Sequence, residues 1–74
     1  MSAFDLFYET FVQNQLRHDA YLLTLQDGSQ LTGIPYSSTT ADASDLGETG
    51  FSVKTSAGAV RRFKFRDLAS ARLV

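Results

Sequence analysis

The chain contains no cysteine. Disulfide staples and cysteine-ligated zinc or iron–sulfur centres are therefore excluded. Histidine occurs once, as His18, and its only sequence neighbour of catalytic type is Asp19. A Ser–His–Asp machine needs more than adjacency in sequence, so no enzyme activity is expected. No phosphate-cradling glycine loop is present, because Gly47 and Gly50 stand alone. The longest apolar run, Ala20-Tyr21-Leu22-Leu23, is far short of a membrane-spanning helix. The opening Met1-Ser2-Ala3-Phe4-Asp5 has no basic n-region or apolar h-region, so a signal peptide is not expected and a cytoplasmic location is. Basic charge is not in excess either: seven Lys and Arg face eight Asp and Glu, for a net charge of −1. Taken whole, that is not the footprint of a nucleic-acid-binding domain.

What remains is a chain of 74 residues, 43% hydrophobic and 20% charged, which is the composition of one small folded domain. Its charge is unevenly placed. Seven of the eight acids precede Lys54, and six of the seven bases lie at or after it. Such asymmetry predicts a polarised surface, or two regions that neutralise each other across the fold.

The N-terminal segment reads as a helix over about 3–17. Phe4, Phe7, Tyr8, Phe11 and Val12 follow the helical period and Leu16 continues the stripe, with Ser2 as N-cap and Asp5 three residues on. The stripe predicts that Phe4, Phe7, Phe11 and Leu16 pack over a barrel end or a neighbour. From about residue 20 the period changes to two. Tyr21, Leu23 and Leu25 alternate with polar or outward positions, and Asp27-Gly28 signals a hairpin. The next strand, 30–36, contains Gly33, a signal of sharp bending, and Pro35, which cannot donate to a ladder. Residues 37–50 form a long acidic loop. Strands are expected at 51–55, 60–65 and 68–74, with a tight turn at Ala57-Gly58 and a short one at Arg66-Asp67. The predicted inward set is Tyr21, Leu23, Leu25, Leu31, Phe51, Val53, Phe63, Phe65 and Leu68. One helix followed by five short strands predicts a mainly β domain with an N-terminal α-helix, built as a five-stranded SH3-like antiparallel barrel.

The same residues carry a family resemblance. An N-terminal helix, the hairpin Asp27-Gly28 followed by Leu31 and Gly33, a variable loop and a terminal hairpin resemble the Sm-like fold, of which the Hfq proteins are members. The segment LQDGSQLTG is similar to the first Sm motif, and SAGAVRRFKFRDLASARL is similar to the end of Rof, a small Sm-like inhibitor of the terminator Rho. The resemblance covers about residues 4–73. It implies a non-enzymatic binding module without cofactor or metal, whose subunits join edge strands into a homo-oligomeric ring that binds RNA. The Rof likeness implies instead an adaptor for a protein of the RNA-handling machinery. Phe65-Arg66-Asp67 stands where Hfq carries Tyr-Lys-His, which favours the second reading. A structural assembly module without nucleic acid is a third.

The candidate contact residues are Lys54, Arg62, Lys64, Arg66 and Tyr36. On a continuous strand, Arg62, Lys64 and Arg66 share one face at steps of about 6.6 Å, opposite Phe63 and Phe65. A row of cations can meet nucleic-acid phosphates, an acidic protein surface, or only solvent. Tyr36, beside the loop, is the candidate stacking residue. Asp42, Asp45 and Glu48 are spaced to align on a helical turn but lack the EF-hand pattern, so they predict a solvated loop and not a metal site.

Overall fold

The computed structural model describes residues 2–38 and 44–74. It consists of an N-terminal helical rod and a five-stranded antiparallel sheet. The rod comprises α1 (Ala3–Phe7), a π-turn (Tyr8–Val12) and α2 (Asn14–Arg17). Ser2 caps it as expected. Its hydroxyl accepts from the Asp5 N–H, and the Asp5 carboxylate accepts from the Ser2 N–H. None of these helical segments is long and apolar enough to cross a membrane, among the described residues.

The strands are β1 (Tyr21–Leu25), β2 (Gln30–Tyr36), β3 (Gly50–Thr55), β4 (Val60–Lys64) and β5 (Leu68–Leu73). Their order in the sheet is β4-β3-β2-β1-β5. The sheet is open, with β4 and β5 as its edges. Two hairpins use the same device. Gly28 and Gly58 each have φ above +80°, a region a side chain disfavours, and each donates its N–H to the carbonyl three residues back, Leu25 or Thr55. The Asp27 carboxylate accepts from the Ser29 N–H and hydroxyl, which stiffens the first turn.

The core lies between the rod and one face of the sheet. Phe7, Phe11, Tyr21, Leu23, Phe51, Val53 and Leu68 form it, with Leu25, Leu31, Phe63 and Phe65 packed against it. All nine predicted inward residues are in this set. The aromatic rings carry much of the contact. Phe11 stacks on Phe51 at 4.1 Å between centroids, and Phe7 meets Phe11 at 5.0 Å and Phe65 edge-on at 5.2 Å.

Two ends of the helical stripe depart from expectation. Phe4 is 40% exposed and Leu16 87% exposed. The buried face runs through Phe7, Thr10, Phe11 and Asn14. Leu16 stands two residues beyond Asn14, about 200° further round the rod, and so faces away from the sheet. The core position that the stripe assigned to a leucine is filled by an asparagine.

Gly33 shows no break in register: it pairs with Tyr21 on one side and Thr55 on the other. Its role is close approach. A Cβ there would lie 2.7 Å from the Lys54 carbonyl oxygen and 2.7 Å from Val53 Cγ1. Gly33→Ala is therefore expected to destabilise the fold by about 2 kcal/mol through overpacking. Thermal unfolding measures this, and an unchanged midpoint would show that β3 can yield. Pro35 sits within β2 although this strand is central. It occupies the ladder opposite Val53, and its carbonyl is used by the helix, as shown below.

Candidate functional site

The ladder registers sort the candidate contact residues. Tyr36 lies opposite Ser52, and Ser52 opposite Arg62. Ile34 lies opposite Lys54, and Lys54 opposite Val60. Directly opposed residues in antiparallel strands share a face, so these six side chains stand together on the face away from the core. Strand spacing places Tyr36 and Arg62 about 10 Å apart across β3. Three of the five predicted residues, Tyr36, Lys54 and Arg62, are thus brought into one patch.

Lys64 and Arg66 are arranged differently. The continuous strand expected over 60–65 stops at Lys64, and Phe65–Asp67 forms a 3-10 turn. The Asp67 carboxylate accepts from the Lys64 N–H and closes this turn. Arg66 therefore does not continue the strand row. Phe65, the first residue of this turn, packs edge-on against Phe7 and Phe11.

A second 3-10 turn, Leu46–Glu48, docks against this region. Glu48 grips both cations. Its Oε2 is 2.6 Å from Lys64 Nζ, and its Oε1 is 2.8 Å from Arg66 NH1. Part of the charge asymmetry of the sequence is thus neutralised within the chain. The alignment expected of Asp42, Asp45 and Glu48 lies partly outside the described residues, because Asp42 is not among them. The Lys64 hydrogen bond, assisted by the charges of Arg66 and Lys64, holds the Glu48 carboxyl below its usual 4.5. A depressed folded value means that this pairing stabilises the fold above the unfolded value and is lost as pH falls through the folded one. The groups are solvent-exposed, so the effect is small. NMR titration of the Glu48 carboxyl is expected to give a midpoint below 4.5 that rises in Lys64→Gln. An ordinary midpoint in the parent chain would show that the bridge is not held in solution.

Two grooves flank Tyr36. The larger, about 700 Å³, lies between the C-terminal end of the rod and strands β2 and β3. Gln15, His18, Thr32, Ile34, Tyr36 and Lys54 border it. The smaller, about 290 Å³, is bordered by Tyr36, Ser52, Arg62 and Phe63. Tyr36 is therefore a shared wall, with a lysine groove on one side and an arginine groove on the other.

The position of the rod wall is set by one buried residue. Asn14 is fully buried. Its Nδ2 donates to the Pro35 carbonyl at 2.6 Å and to the Asp19 carbonyl at 3.0 Å, and its Oδ1 accepts from the Asp19 N–H at 3.0 Å. The amide thus ties the end of α2 to β2 and folds the following segment back. His18, within that segment, adopts the left-handed conformation (φ 59°) at the helix terminus, which a side chain ordinarily disfavours. Arg17 adds further ties to the Asp19 carboxylate, the Glu9 carbonyl and the Tyr21 hydroxyl.

Gln15, His18, Thr32 and Ile34 were not among the residues expected at a site. A signal for them exists in part: Thr32, Ile34 and Tyr36 alternate on one strand face, while Gln15 lies on the last helical turn and His18 just past its end. Nothing in the sequence says that these two faces meet. No match is found for the chain among protein-family models, curated proteins or solved structures.

Proposed function

We propose that this chain is a non-enzymatic binding module with an Sm-like barrel, and that it engages single-stranded RNA through the outer face of β2, β3 and β4. One observation carries the reading: Tyr36 separates two adjoining grooves, one holding Lys54 and the other Arg62. Single strands are bound by cations that follow the phosphates and by rings on which bases stack. The order β4-β3-β2-β1-β5 supports the assembly half of the proposal, because β4 and β5 are free edges on opposite sides of the sheet. Edge-to-edge pairing of successive copies would generate a head-to-tail contact that can close into a ring. In this reading Lys54 and Arg62 meet phosphates, and Lys64 and Arg66 do so only when Glu48 releases them.

The Glu48 bridge favours a second reading, the adaptor that binds a protein of the RNA-handling machinery. Lys64, Glu48 and Arg66 together present alternating charge. Such a pattern suits an equally mixed protein surface better than a uniformly anionic backbone.

Light scattering across a concentration range, with fluorescence anisotropy of oligo-U and oligo-A at several salt concentrations, tests the proposal. A closed oligomer whose RNA affinity falls steeply with salt is the expected result. Each phosphate neutralised contributes about −0.7 to the slope of log K against log salt for single strands. A monomer without RNA binding at low salt would refute the RNA-ring reading and turn the search to a protein partner.

A further inference from the structure

We infer that the exposed flank of the helical rod is the surface through which two copies of this chain pair, rod against rod and antiparallel. This flank takes no part in the RNA reading.

The rod carries two apolar faces. One, through Phe7 and Phe11, packs into the core. The other consists of Phe4, Tyr8, Val12 and Leu16, spaced four apart. In a regular α-helix each step of four overshoots a full turn by about 40°, so such a row would spiral round the rod. The π-turn counters this. Gln13 donates its N–H to the Tyr8 carbonyl, five residues back, at 2.9 Å. A turn closed over five residues winds less per residue, which offsets the overshoot on the steps before and after it. The four side chains therefore form a nearly straight row along the rod. Val12 is half-buried and packs against the core, so it forms the floor of the row. Tyr8 is 45% exposed, close to Phe4, and Leu16 is the most exposed of the four. Among the described residues, Phe4, Tyr8 and Leu16 are three of six exposed large apolar side chains, so half of that surface lies on one line. A contiguous apolar row, unlike apolar residues scattered singly, marks an interaction surface.

The neighbouring row names the partner. Asp5, Glu9, Gln13 and Arg17 run beside the apolar row, again four apart, and all are exposed. Arg17 fixes the line: it donates to Gln13 Oε1 at 3.3 Å and to the Glu9 carbonyl at 2.8 Å. This row is acidic at its start and basic at its end. Two identical helices packed antiparallel through one stripe set each flanking row against the same row reversed. A two-fold axis at the level of Thr10 places Phe4 of one copy against Leu16 of the other, and Tyr8 against Val12. It also places Asp5 near Arg17 of the other copy and Glu9 near Gln13. Parallel pairing would instead oppose Asp5 to Asp5 and Glu9 to Glu9, which like charge disfavours. Arg17 can serve both partners, because its side chain is 40% exposed although Asp19 pairs with it. The apolar row and the charged row thus fit the same occupant, a second copy in one orientation. Two short rods bury less than about 1,200 Å² between them, the range of transient complexes, so the dimer should depend on concentration.

The test uses the intact chain and measures mass by light scattering across a concentration range, for the parent and for Leu16→Glu. At high concentration the parent mass should reach twice that of Leu16→Glu. The variant should weaken pairing about a hundredfold, since each dimer loses two leucines from its contact. Any ring built through the sheet edges is read from the mass of Leu16→Glu itself, so the ring and the rod pairing fail separately. Gln13 reports the orientation. Gln13→Lys should tighten pairing about fivefold by facing Glu9 of the other copy, and Gln13→Glu should weaken it by a similar factor. Parallel pairing requires both variants to weaken it. On dilution of the parent chain, amide shifts should change at Tyr8, Gln13 and Leu16. Leu16 and Gln13 are exposed, so their variants are expected to stay folded, and thermal unfolding at low concentration verifies this. A parent mass equal to that of Leu16→Glu over the whole range overturns the pairing, as does a dimer that Leu16→Glu leaves intact. Equal weakening by the two Gln13 variants overturns the antiparallel arrangement.

Discussion

Phe11→Ala is expected to be the most damaging single truncation in the chain, costing about 4 kcal/mol. Phe11 is fully buried and touches three other rings: it stacks on Phe51, packs against Phe7 and meets Phe65 edge-on. Removing it deletes one ring's transfer free energy and leaves a cavity between rod and sheet, a change that costs about 3–5 kcal/mol in comparable cores. A domain of this size has roughly 4–11 kcal/mol in total. The variant should therefore melt roughly 15–30 °C lower than the parent chain, and part of it should be unfolded at physiological temperature. Phe4→Ala is the informative control. Phe4 belongs to the same sequence stripe but is 40% exposed, so its loss should cost well under 1 kcal/mol. Equal losses at both positions would mean that the rod packs through a different face.

Asn14→Ala has the second largest expected effect, about 3 kcal/mol. Little apolar area is lost; the cost comes from stranded partners. The Pro35 carbonyl, in a buried contact, and the backbone of Asp19, in part-buried ones, lose the amide that satisfies them. A buried polar group left unpaired costs about 1–3 kcal/mol, and more than one is orphaned here. Asn14→Leu should be no better, since a larger apolar group still satisfies neither. Asn14→Asp adds a pH signature. Its carboxylate can accept from the Asp19 N–H but opposes two carbonyl oxygens, so its folded pKa should rise. A raised folded value makes the deficit smallest at low pH and larger as pH climbs above about 4. Denaturant unfolding at two pH values measures this. A pH-independent deficit would show that water enters and screens the site. The same variants connect stability to function. With the tie to β2 cut, the rod end is free to move, and amide hydrogen exchange at Gln15 and His18 should quicken before the fold itself is lost.

Much of this architecture was legible along the chain, because local rules suffice for it. A period of 3.6 and a capping serine define the rod, and a period of two defines the strands. The glycines that need positive φ mark both tight turns. The strand alternation also determined which residues face inward, since a pleat leaves only two choices. The misplacements have a common origin. Hydrophobic periodicity assigns Leu16 to the core, yet Asn14 holds the buried position by satisfying three backbone groups at once. Alternation through Phe65 makes Arg66 a third cation of the strand, yet the chain turns at Phe65–Asp67, where the Asp67 carboxylate accepts from the Lys64 N–H.

The sequence by itself determined one helix, five strands, the inward set, and the residue types from which a binding face can be made. Only the tertiary structure decided which of those residues meet. Register across β2, β3 and β4 gathers Tyr36, Lys54 and Arg62, and folding of the loop end brings Glu48 onto Lys64 and Arg66. The rod end, seated by Asn14, adds Gln15 and His18 to a groove that no linear motif describes. The physical reason is range: periodicity, caps and turns act over a few residues, whereas Asn14 finds Pro35 21 positions away and Glu48 finds Lys64 16 positions away.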